Sequence, residues 1–214
     1  MDSLNKVPVH GVARNWLGVQ LIEQLLGYAK SNEHLFEWST VAYGPTRRVN
    51  TTRRISRVLY DFGDLKQQLT EKLQDFLPEI FKKLGDKPFD PIFELELVAH
   101  GDGAFFARHK DTLTGRDRGN SDRIISVVYY FHTLPKAFSG GALRLHSLVA
   151  TGEGDTFVDI APDYNTLVFF PSIFPHEVLP VKSPSGRFLD SRFAINCWIC
   201  RGREVELGGP RGTK

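Results

Sequence analysis

The chain has 214 residues, with 27 basic and 25 acidic side chains and a net charge of +2, so no overall charge favours nucleic acid or an anionic membrane as partner. Hydrophobic residues make up 41% and charged residues 24%, as in a soluble globular protein that can bury a core without disulfide bonds. No apolar run approaches the roughly 18 residues that a membrane span needs, and the N-terminal sequence lacks the pattern of a signal peptide.

The first 91 residues are predicted to form a mixed, largely helical support region. Apolar residues recur at helical spacing over 15–32 and again over 65–84. Pro78 predicts a kink or a restart in the second helix. Between the two helices, "ISRVLYD" (55–61) predicts a short strand.

From about residue 92 short β-rich runs alternate with turns rich in glycine, proline and aspartate. The predicted strands are 92–100, 123–132, 141–147, 155–160, 165–171, 176–181 and 192–199. Many short strands of this kind indicate a sandwich or a closed barrel. We therefore expect one domain over 1–214, of α+β class and mainly β, with helices in front of the β core.

The stretch "FFARHKDTLTG" (105–115) contains a histidine and an aspartate two positions apart, His109 and Asp111. On an extended strand both side chains point to the same side, so both could reach one ion, whereas Lys110 points away. A strong site needs a second imidazole from elsewhere in the chain. The candidates are His100, His132, His146 and His176.

His176 is the most favoured candidate, because it opens the predicted strand "HEVLPV" directly after a turn bounded by prolines. Two histidines and one carboxylate with three open positions form the facial triad of non-haem iron(II) oxygenases. The histidines His132 and His146 lie within predicted strands and are interpreted as residues at the edge of the core.

A cosubstrate such as 2-oxoglutarate, chelated at the open positions, needs a cation for its far carboxylate, and arginine pairs with carboxylates bidentately. Two arginines follow His176. Arg187 lies in the turn "SPSGR", and Arg192 begins "RFAINCWI", where alternation places it on one face with Asn196 and Trp198. This pattern favours Arg192 as a charge inside a pocket, and Arg187 remains an alternative.

Residues 93–200 resemble the prolyl 4-hydroxylase-like branch of the iron(II)/2-oxoglutarate-dependent dioxygenases. The resemblance rests on motifs that occur in the family's order: "HKD", "VVYYFH", "SGGALRLH", "FVDIAPDYNTLVFFPS", "PHEVLPV" and "RFAINCWI". It implies a double-stranded β-helix core, jelly-roll and cupin-like, over 92–200. Residues 1–91 would support this core, and residues 201–214 would form a C-terminal tail.

The resemblance also implies roles for individual residues. The ligands of iron(II) would be His109, Asp111 and His176. Arg192 would bind the far carboxylate of 2-oxoglutarate with help from Tyr130, Asn196 would lie near this cosubstrate, and Trp198 would close the inner wall. Dioxygen would be the second cosubstrate, and an association with L-ascorbate is implied as well.

Two features depart from the family. The segment from His176 to Arg192 is longer than in the prolyl hydroxylases, which keeps Arg187 open as the anchor. His100 stands where relatives commonly have a tyrosine, so a contact near the cosubstrate is expected to differ.

Three further segments carry distinct expectations. The pair Cys197 and Cys200 forms C-x-x-C without a second such motif, so we interpret it as structural and expect a reducing, cytoplasmic location. The arginines of "RRVNTTRRISR" (47–57) predict a solvated face, with Arg57 reaching a substrate carboxylate as the alternative. The polar segment 112–123 suits a mobile lid over the substrate.

Together these patterns predict a hydroxylase that acts on an unactivated C–H of a small, proline-like amino acid, free or carrier-tethered, because no peptide-binding repeat or secretory signal is visible. A short peptidyl-proline substrate is the alternative.

A halogenase is excluded, because its metal site requires a small residue in place of Asp111. A non-catalytic, cupin-like binding module is the rival from another class. Nucleic acid and membrane are not expected as partners, and the oligomeric state is open.

Overall fold

A computed structural model describes residues 7–43, 46–112, 120–148 and 156–203 of the chain. Two helices, α1 (Val19–Ser31) and α2 (Asp64–Leu84), accompany sixteen strands in this part of the chain. The strands are β1 (Gly11–Arg14), β2 (Glu37–Trp38), β3 (Val41–Tyr43), β4 (Thr46–Arg48), β5 (Arg54–Ile55), β6 (Arg57–Leu59), β7 (Pro91–His100), β8 (Phe105–His109), β9 (Ser121–Phe131), β10 (Ser139–Gly140), β11 (Leu143–His146), β12 (Phe157–Ile160), β13 (Thr166–Pro171), β14 (His176–Val178), β15 (Val181–Lys182) and β16 (Arg192–Gly202).

The strands form two main antiparallel sheets. A seven-stranded sheet has the order β1-β13-β9-β16-β7-β6-β2, and a five-stranded sheet has the order β12-β11-β14-β8-β5. Two short ladders, β10 with β15 and β3 with β4, complete the pairing. The chain is thus mainly β with a double-stranded β-helix, which confirms the predicted fold class.

The larger apolar core lies between the helices and the outer face of the seven-stranded sheet. Because side chains alternate along β16, Phe193, Ile195 and Cys197 point into this core. They belong to the same buried cluster as leucines of α2 such as Leu69 and Leu73. Removing one such leucine side chain from water contributes about 1.5–3 kcal/mol. The helices are therefore held by the sheet rather than by their own propensity.

A smaller apolar core lies between the two sheets. The seven-stranded sheet contributes Tyr130, Val168, Phe170 and Ala194, and the five-stranded sheet contributes residues of β11 and β12 such as Leu145. Ala194 lies on the same face of β16 as Arg192, Asn196 and Trp198, as the alternation predicts. This inner face of β16 therefore reaches the space in which the candidate site lies.

Both predicted helices exist without interruption, and the main change is at the start of the first one. The first begins at Val19 rather than at residue 15, because Asn15 has a positive φ of 53° and Leu17 is fixed by Asn165. The side chain of Asn165 accepts from the backbone N–H of Leu17 at 2.9 Å and donates to its carbonyl oxygen at 2.8 Å. The second helix continues through Pro78 without a restart. Neither helix is long and apolar enough to cross a membrane, in the portion of the chain described.

Several strand boundaries differ from the expectations. The predicted strand 55–61 corresponds to the end of β5 and to β6, and the predicted strand 176–181 is divided into β14 and β15. The strands β1 to β4 and β10 were not predicted. Strands that precede residue 92 join both main sheets, so the support region also contributes to the β core. Of the predicted lid, 113–119 lie outside the described residues; of the predicted tail, 204–214 do.

Candidate metal centre

Three side chains that the sequence singled out lie together at one end of the five-stranded sheet. His109 ends β8 and His176 begins β14, and the antiparallel pairing of these strands places the two residues opposite each other. Asp111 follows two residues after His109, and its backbone N–H donates to the carbonyl oxygen of Ser172 at 3.2 Å. The potential ligand atoms of His109, Asp111 and His176 all lie within 4.8 Å of one another.

Both imidazoles are oriented by the backbone just before them. Nδ1 of His109 lies 2.9 Å from the carbonyl oxygen of Ala107, and Nδ1 of His176 lies 3.0 Å from that of Phe174. A carbonyl oxygen only accepts, so each Nδ1 carries the proton and donates it. In the neutral ring Nε2 then keeps its lone pair, which is the form that binds a metal ion.

The carboxylate of Asp111 joins the imidazoles on the same side. Its Oδ1 lies 3.6 Å from Nε2 of His109, and its Oδ2 lies 3.3 Å from Nε2 of His176. Ser126 donates its hydroxyl to Oδ2 at 2.6 Å and is itself 2.9 Å from the hydroxyl of Ser172. The side chain of Asp111 is thereby oriented by the seven-stranded sheet, and its backbone is held by the carbonyl oxygen of Ser172.

The charges of these groups are strongly coupled. Burial would raise the pKa of Asp111, but the imidazoles of His176 and His109 hold that pKa well below its usual value. Burial, together with the neighbouring His176, lowers the pKa of His109. Although burial alone would lower the pKa of His176, the carboxylate of Asp111 raises it. An anionic oxygen beside two imidazoles is a donor set that suits a divalent cation such as iron(II).

Arg192 lies at the inner end of the same cavity and is only 1% exposed. Its Nε donates to the carbonyl oxygen of Gly141 at 2.7 Å. Gly141 has a positive φ of 69°, and a Cβ there would lie 2.7 Å from Cδ of Arg192. Glycine at this position, in the motif "SGG", therefore makes room for the buried arginine.

The guanidinium of Arg192 has no carboxylate partner among residues 7–43, 46–112, 120–148 and 156–203. Its Nη2 and the hydroxyl of Tyr130 are buried without a hydrogen-bond partner in the same residues, and the guanidinium carbon lies 4.7 Å from the centre of the Tyr130 ring. Burial raises the pKa of Tyr130, which keeps its hydroxyl protonated as a donor. An isolated buried cation is costly, so this arrangement fits a ligand carboxylate.

His100 contacts Arg192 from the neighbouring strand β7. Burial, with the nearby charges of Arg192 and Arg54, lowers the pKa of His100 well below its usual value. The neutral ring accepts at Nδ1 from Nη1 of Arg192 at 3.3 Å, and its Nε2 is buried without a partner among the described residues. The residue that departs from the family pattern thus lies directly beside the candidate cosubstrate anchor.

Asn196 lines the cavity, but its amide is held by a carboxylate that the sequence interpretation overlooked. Its Nδ2 donates to Oε1 of Glu96 at 3.0 Å, and Nη2 of Arg54 donates to the same oxygen at 3.1 Å. Both Arg54 and Glu96 line the inner cavity and a wider outer cavity of about 610 Å³. The glutamate Glu96 within the run "FELELVAH", where it alternates with buried apolar residues, was the sequence signal for this pair.

The mouth of the outer cavity carries further charge and one aromatic wall. Trp198 lines both cavities, and the guanidinium of Arg123 lies 3.7 Å from the centre of its ring. Arg123 also donates to Glu94, at 2.6 Å from Nη2 and 2.9 Å from Nε. The ring of Phe106 stacks on that of His109 with centroids 3.6 Å apart.

The remaining candidates lie away from this cavity. The side chain of Arg187 is 76% exposed and pairs with Asp190 at 2.8 Å. Nδ1 of His132 lies 2.8 Å from the carbonyl oxygen of Thr133, and Nε2 of His146 lies 3.0 Å from Glu177.

Two other groups of residues have separate environments. Arg57 pairs with Glu33 outside the cavity rather than reaching its mouth. Cys197 and Cys200 are both buried free thiols, and burial raises the pKa of each, that of Cys200 to about 12. Neither cysteine lies among the residues that line the two cavities.

Comparison with known families and sequences gives two independent matches. Residues 95–200 match the model of the 2OG-Fe(II) oxygenase superfamily. An uncharacterized PKHD-type hydroxylase of Synechocystis sp. is 39% identical over 197 residues, which is 89% of this chain. The chain spans 62% of the length of that relative.

Solved structures with a similar fold include two prolyl hydroxylases. A prolyl-4-hydroxylase of Pseudomonas putida is 22% identical with a TM-score of 0.63, and the match covers 92% of this chain and 94% of that one. A prolyl hydroxylase of Trichoplax adhaerens, solved with a peptide fragment of hypoxia inducible factor, is 19% identical with a TM-score of 0.65, covering 89% and 83%. At these identities the likeness supports the fold.

Proposed function

Because the chain belongs to the 2OG-Fe(II) oxygenase superfamily, we propose that it is an iron(II)- and 2-oxoglutarate-dependent hydroxylase of the prolyl 4-hydroxylase-like type. His109, Asp111 and His176 would hold the iron. Bound there, iron(II) supplies the oxidising chemistry that converts dioxygen, 2-oxoglutarate and a C–H group into carbon dioxide, succinate and a C–OH group. The observation that carries the proposal is the close set of two imidazole Nε2 atoms and one carboxylate in a buried cavity.

Arg192 is proposed to anchor the far carboxylate of 2-oxoglutarate. A carboxylate placed at its free Nη2 would neutralise a cation that lacks a carboxylate partner in the described residues, and the Tyr130 hydroxyl could donate to the same group. The anchor lies in the cavity that contains the three ligands, as one chelating molecule requires. Asn196 is proposed to act at the edge of this pocket, where Glu96 orients its amide.

The apolar surroundings are proposed to exclude water from the reacting group. Phe106 covers one face of His109, and Phe170 lies 4.9 Å from the His176 ring, edge to face. Val128 and Leu143 line the inner cavity between the ligands and Arg192. Such a shell strengthens the electrostatic interactions that hold the ligands and limits side reactions with water.

We propose a small, proline-like amino acid, free or carrier-tethered, as the substrate. The outer cavity of about 610 Å³ opens onto His109 and Asp111 and is lined by several charged groups together with Trp198. A short peptidyl-proline segment is the alternative, supported by the similarity to prolyl hydroxylases, of which one was solved with a peptide. The cytoplasmic location and the association with L-ascorbate stay predictions.

The test is a turnover assay in which both products are followed. Purified protein with added iron(II), 2-oxoglutarate and dioxygen should release succinate, and a true substrate should gain the mass of one oxygen atom in equal amount. Chelation of iron should stop both signals, and renewed iron(II) should restore them. A cupin-like binding module would bind 2-oxoglutarate without releasing succinate under any of these conditions, and that result would overturn the proposal.

Free proline-like amino acids and capped prolyl peptides should be offered side by side in the same assay. We expect turnover of at least one free amino acid. Oxygen insertion confined to the capped peptides would assign the alternative substrate class while leaving the reaction type intact.

A further inference from the structure

The ion pair between Arg54 and Glu96 is buried in the wall between the inner and the outer cavity. Their side chains are 7% and 6% exposed, and Nη2 of Arg54 lies 3.1 Å from Oε1 of Glu96. Arg54 also donates from Nε to the hydroxyl of Ser56 at 2.8 Å, which in turn donates to Ser39. The guanidinium further lies 4.7 Å from the ring of Phe106, and that ring stacks on His109.

Each member of this pair keeps one terminal atom unused. Oε1 of Glu96 accepts from both Arg54 and Asn196, whereas Oε2 has no hydrogen-bond partner among the residues that the structure describes. Nη1 of Arg54 is likewise without a partner there, because Nε and Nη2 make the two bonds of its guanidinium. One cationic donor and one anionic acceptor are therefore available side by side.

A contribution to the stability of the fold does not explain the Arg54–Glu96 ion pair well. Two charges lose hydration when they are buried, and a single contact in a low-dielectric wall rarely returns more than that loss. The serines and Asn196 nevertheless hold both side chains in place before any ligand arrives. Charged groups that are fixed in advance lose little freedom when a ligand binds. Two such groups of opposite sign in one cavity wall suit a ligand that carries both charges.

We propose that Arg54 and Glu96 bind the two charged ends of a free α-amino acid, Arg54 through the carboxylate and Glu96 through the ammonium group. This inference rests on the proposed function and narrows its substrate class to zwitterions. The bound molecule would lie in the outer cavity with its carbon skeleton directed to the side of His109 and Asp111 that faces the same space. An internal residue of a peptide has neither charge, so it would leave both atoms unpaired.

Binding of matched probes tests the inference. The iron(II)-loaded protein with 2-oxoglutarate, kept free of oxygen, should be titrated calorimetrically with L-proline, L-pipecolate, and their N-acetyl and carboxamide derivatives. Blocking either end should weaken binding about 30-fold or more, the cost of removing one partner from a buried charge contact. Equal binding of free and blocked forms, or no binding by any free amino acid, would overturn the inference.

Substitutions separate recognition from structural support. Glu96→Gln keeps the shape and the bond to Asn196 but removes the negative charge, so the preference for the free amine over the N-acetyl form should disappear. Arg54→Lys should keep the pairing charge while weakening preference for the free carboxylate over the carboxamide. Arg57→Gln, which alters an Arg–Glu pair outside the cavity, should leave both ratios unchanged. Because ratios are compared within one folded variant, partial loss of stability does not mimic the result.

One measurement distinguishes failure of this inference from failure of the proposed function. In the unsubstituted protein, release of succinate from 2-oxoglutarate and iron(II) without any amino acid depends on the proposed metal ligands and on Arg192. If that release occurs but free and blocked probes bind alike, the inference is wrong and the function stands. If Glu96→Gln retains the full preference for the free amine, the inference is wrong as well.

Discussion

The two main sheets of the molecule are built in opposite ways. In the seven-stranded sheet β7 and β16 pair continuously over ten residues, and the outer face is covered by apolar side chains and two helices. In the five-stranded sheet β8 and β14 are short, and their pairing is interrupted by a bulge after His176. The sheet with the long ladders supplies stability, whereas the sheet with short strands places the proposed metal ligands. Changes in the two sheets should therefore affect different measurements.

The largest expected effect is from Asp111→Ala, two residues beyond β8 of the smaller sheet. The change removes the anionic ligand and leaves His109 and His176, so hydroxylation and tight iron binding should be abolished. The fold should survive, with a shift in Tm of at most about 4 °C, because no apolar core group is lost. Coupled product formation near the wild-type rate would disprove the ligand assignment, and Asp163→Ala, at an exposed ion pair, is the control.

The next largest effect is expected at the anchor for the far carboxylate of 2-oxoglutarate, for which the sequence left two candidates, Arg192 and Arg187. Arg192→Ala should raise the KM for 2-oxoglutarate by about 30-fold or more, since one partner of a buried charge contact is worth about 2–5 kcal/mol. Arg187→Ala removes a side chain that is 76% exposed and lies away from the cavity, so it should leave that KM nearly unchanged. The reverse order of effects would assign the anchor to Arg187.

A third change should damage the larger sheet without touching the chemistry. Leu73→Ala empties a fully buried position between α2 and the sheet and should lower the free energy of unfolding by about 2–5 kcal/mol. Denaturant unfolding measures this loss, and Gln74→Ala, on the exposed side of the same helix, should stay within about 0.5 kcal/mol. The KM for 2-oxoglutarate of the folded variant should equal that of the parent protein; a large increase would show that the two sheets are not independent.

The smallest expected effect lies where the sheets meet. Ser126 extends from the seven-stranded sheet to orient Asp111, so Ser126→Ala should weaken iron binding or activity by about 10–100-fold. Ser183→Ala is a matched control, because that buried hydroxyl bonds to the carbonyl oxygen of Asp190 away from the ligands. An iron affinity unchanged in both variants would show that the carboxylate needs no such support.

Local patterns predicted much of this arrangement, and non-local pairing explains what they missed. The alternation in "RFAINCWI" correctly separated Arg192 from the apolar face of β16, because period two is a property of a single strand. Arg54 was interpreted as part of a solvated run, since only the pairing of β5 with β8, some fifty residues away, buries it. The start of α1 was missed for the same reason, because Asn165 lies far along the chain from the Leu17 backbone that it fixes.

The orientation of the two histidines has an evolutionary consequence. Each ring is held by the carbonyl oxygen two residues earlier in its own chain segment, so the backbone itself helps to direct the nitrogen that would bind the metal. Replacements in the cavity walls can then accumulate without misdirecting either ring. In such a scaffold, substitutions in the cavity walls can change which substrate is bound while the residues proposed to hold the metal stay the same.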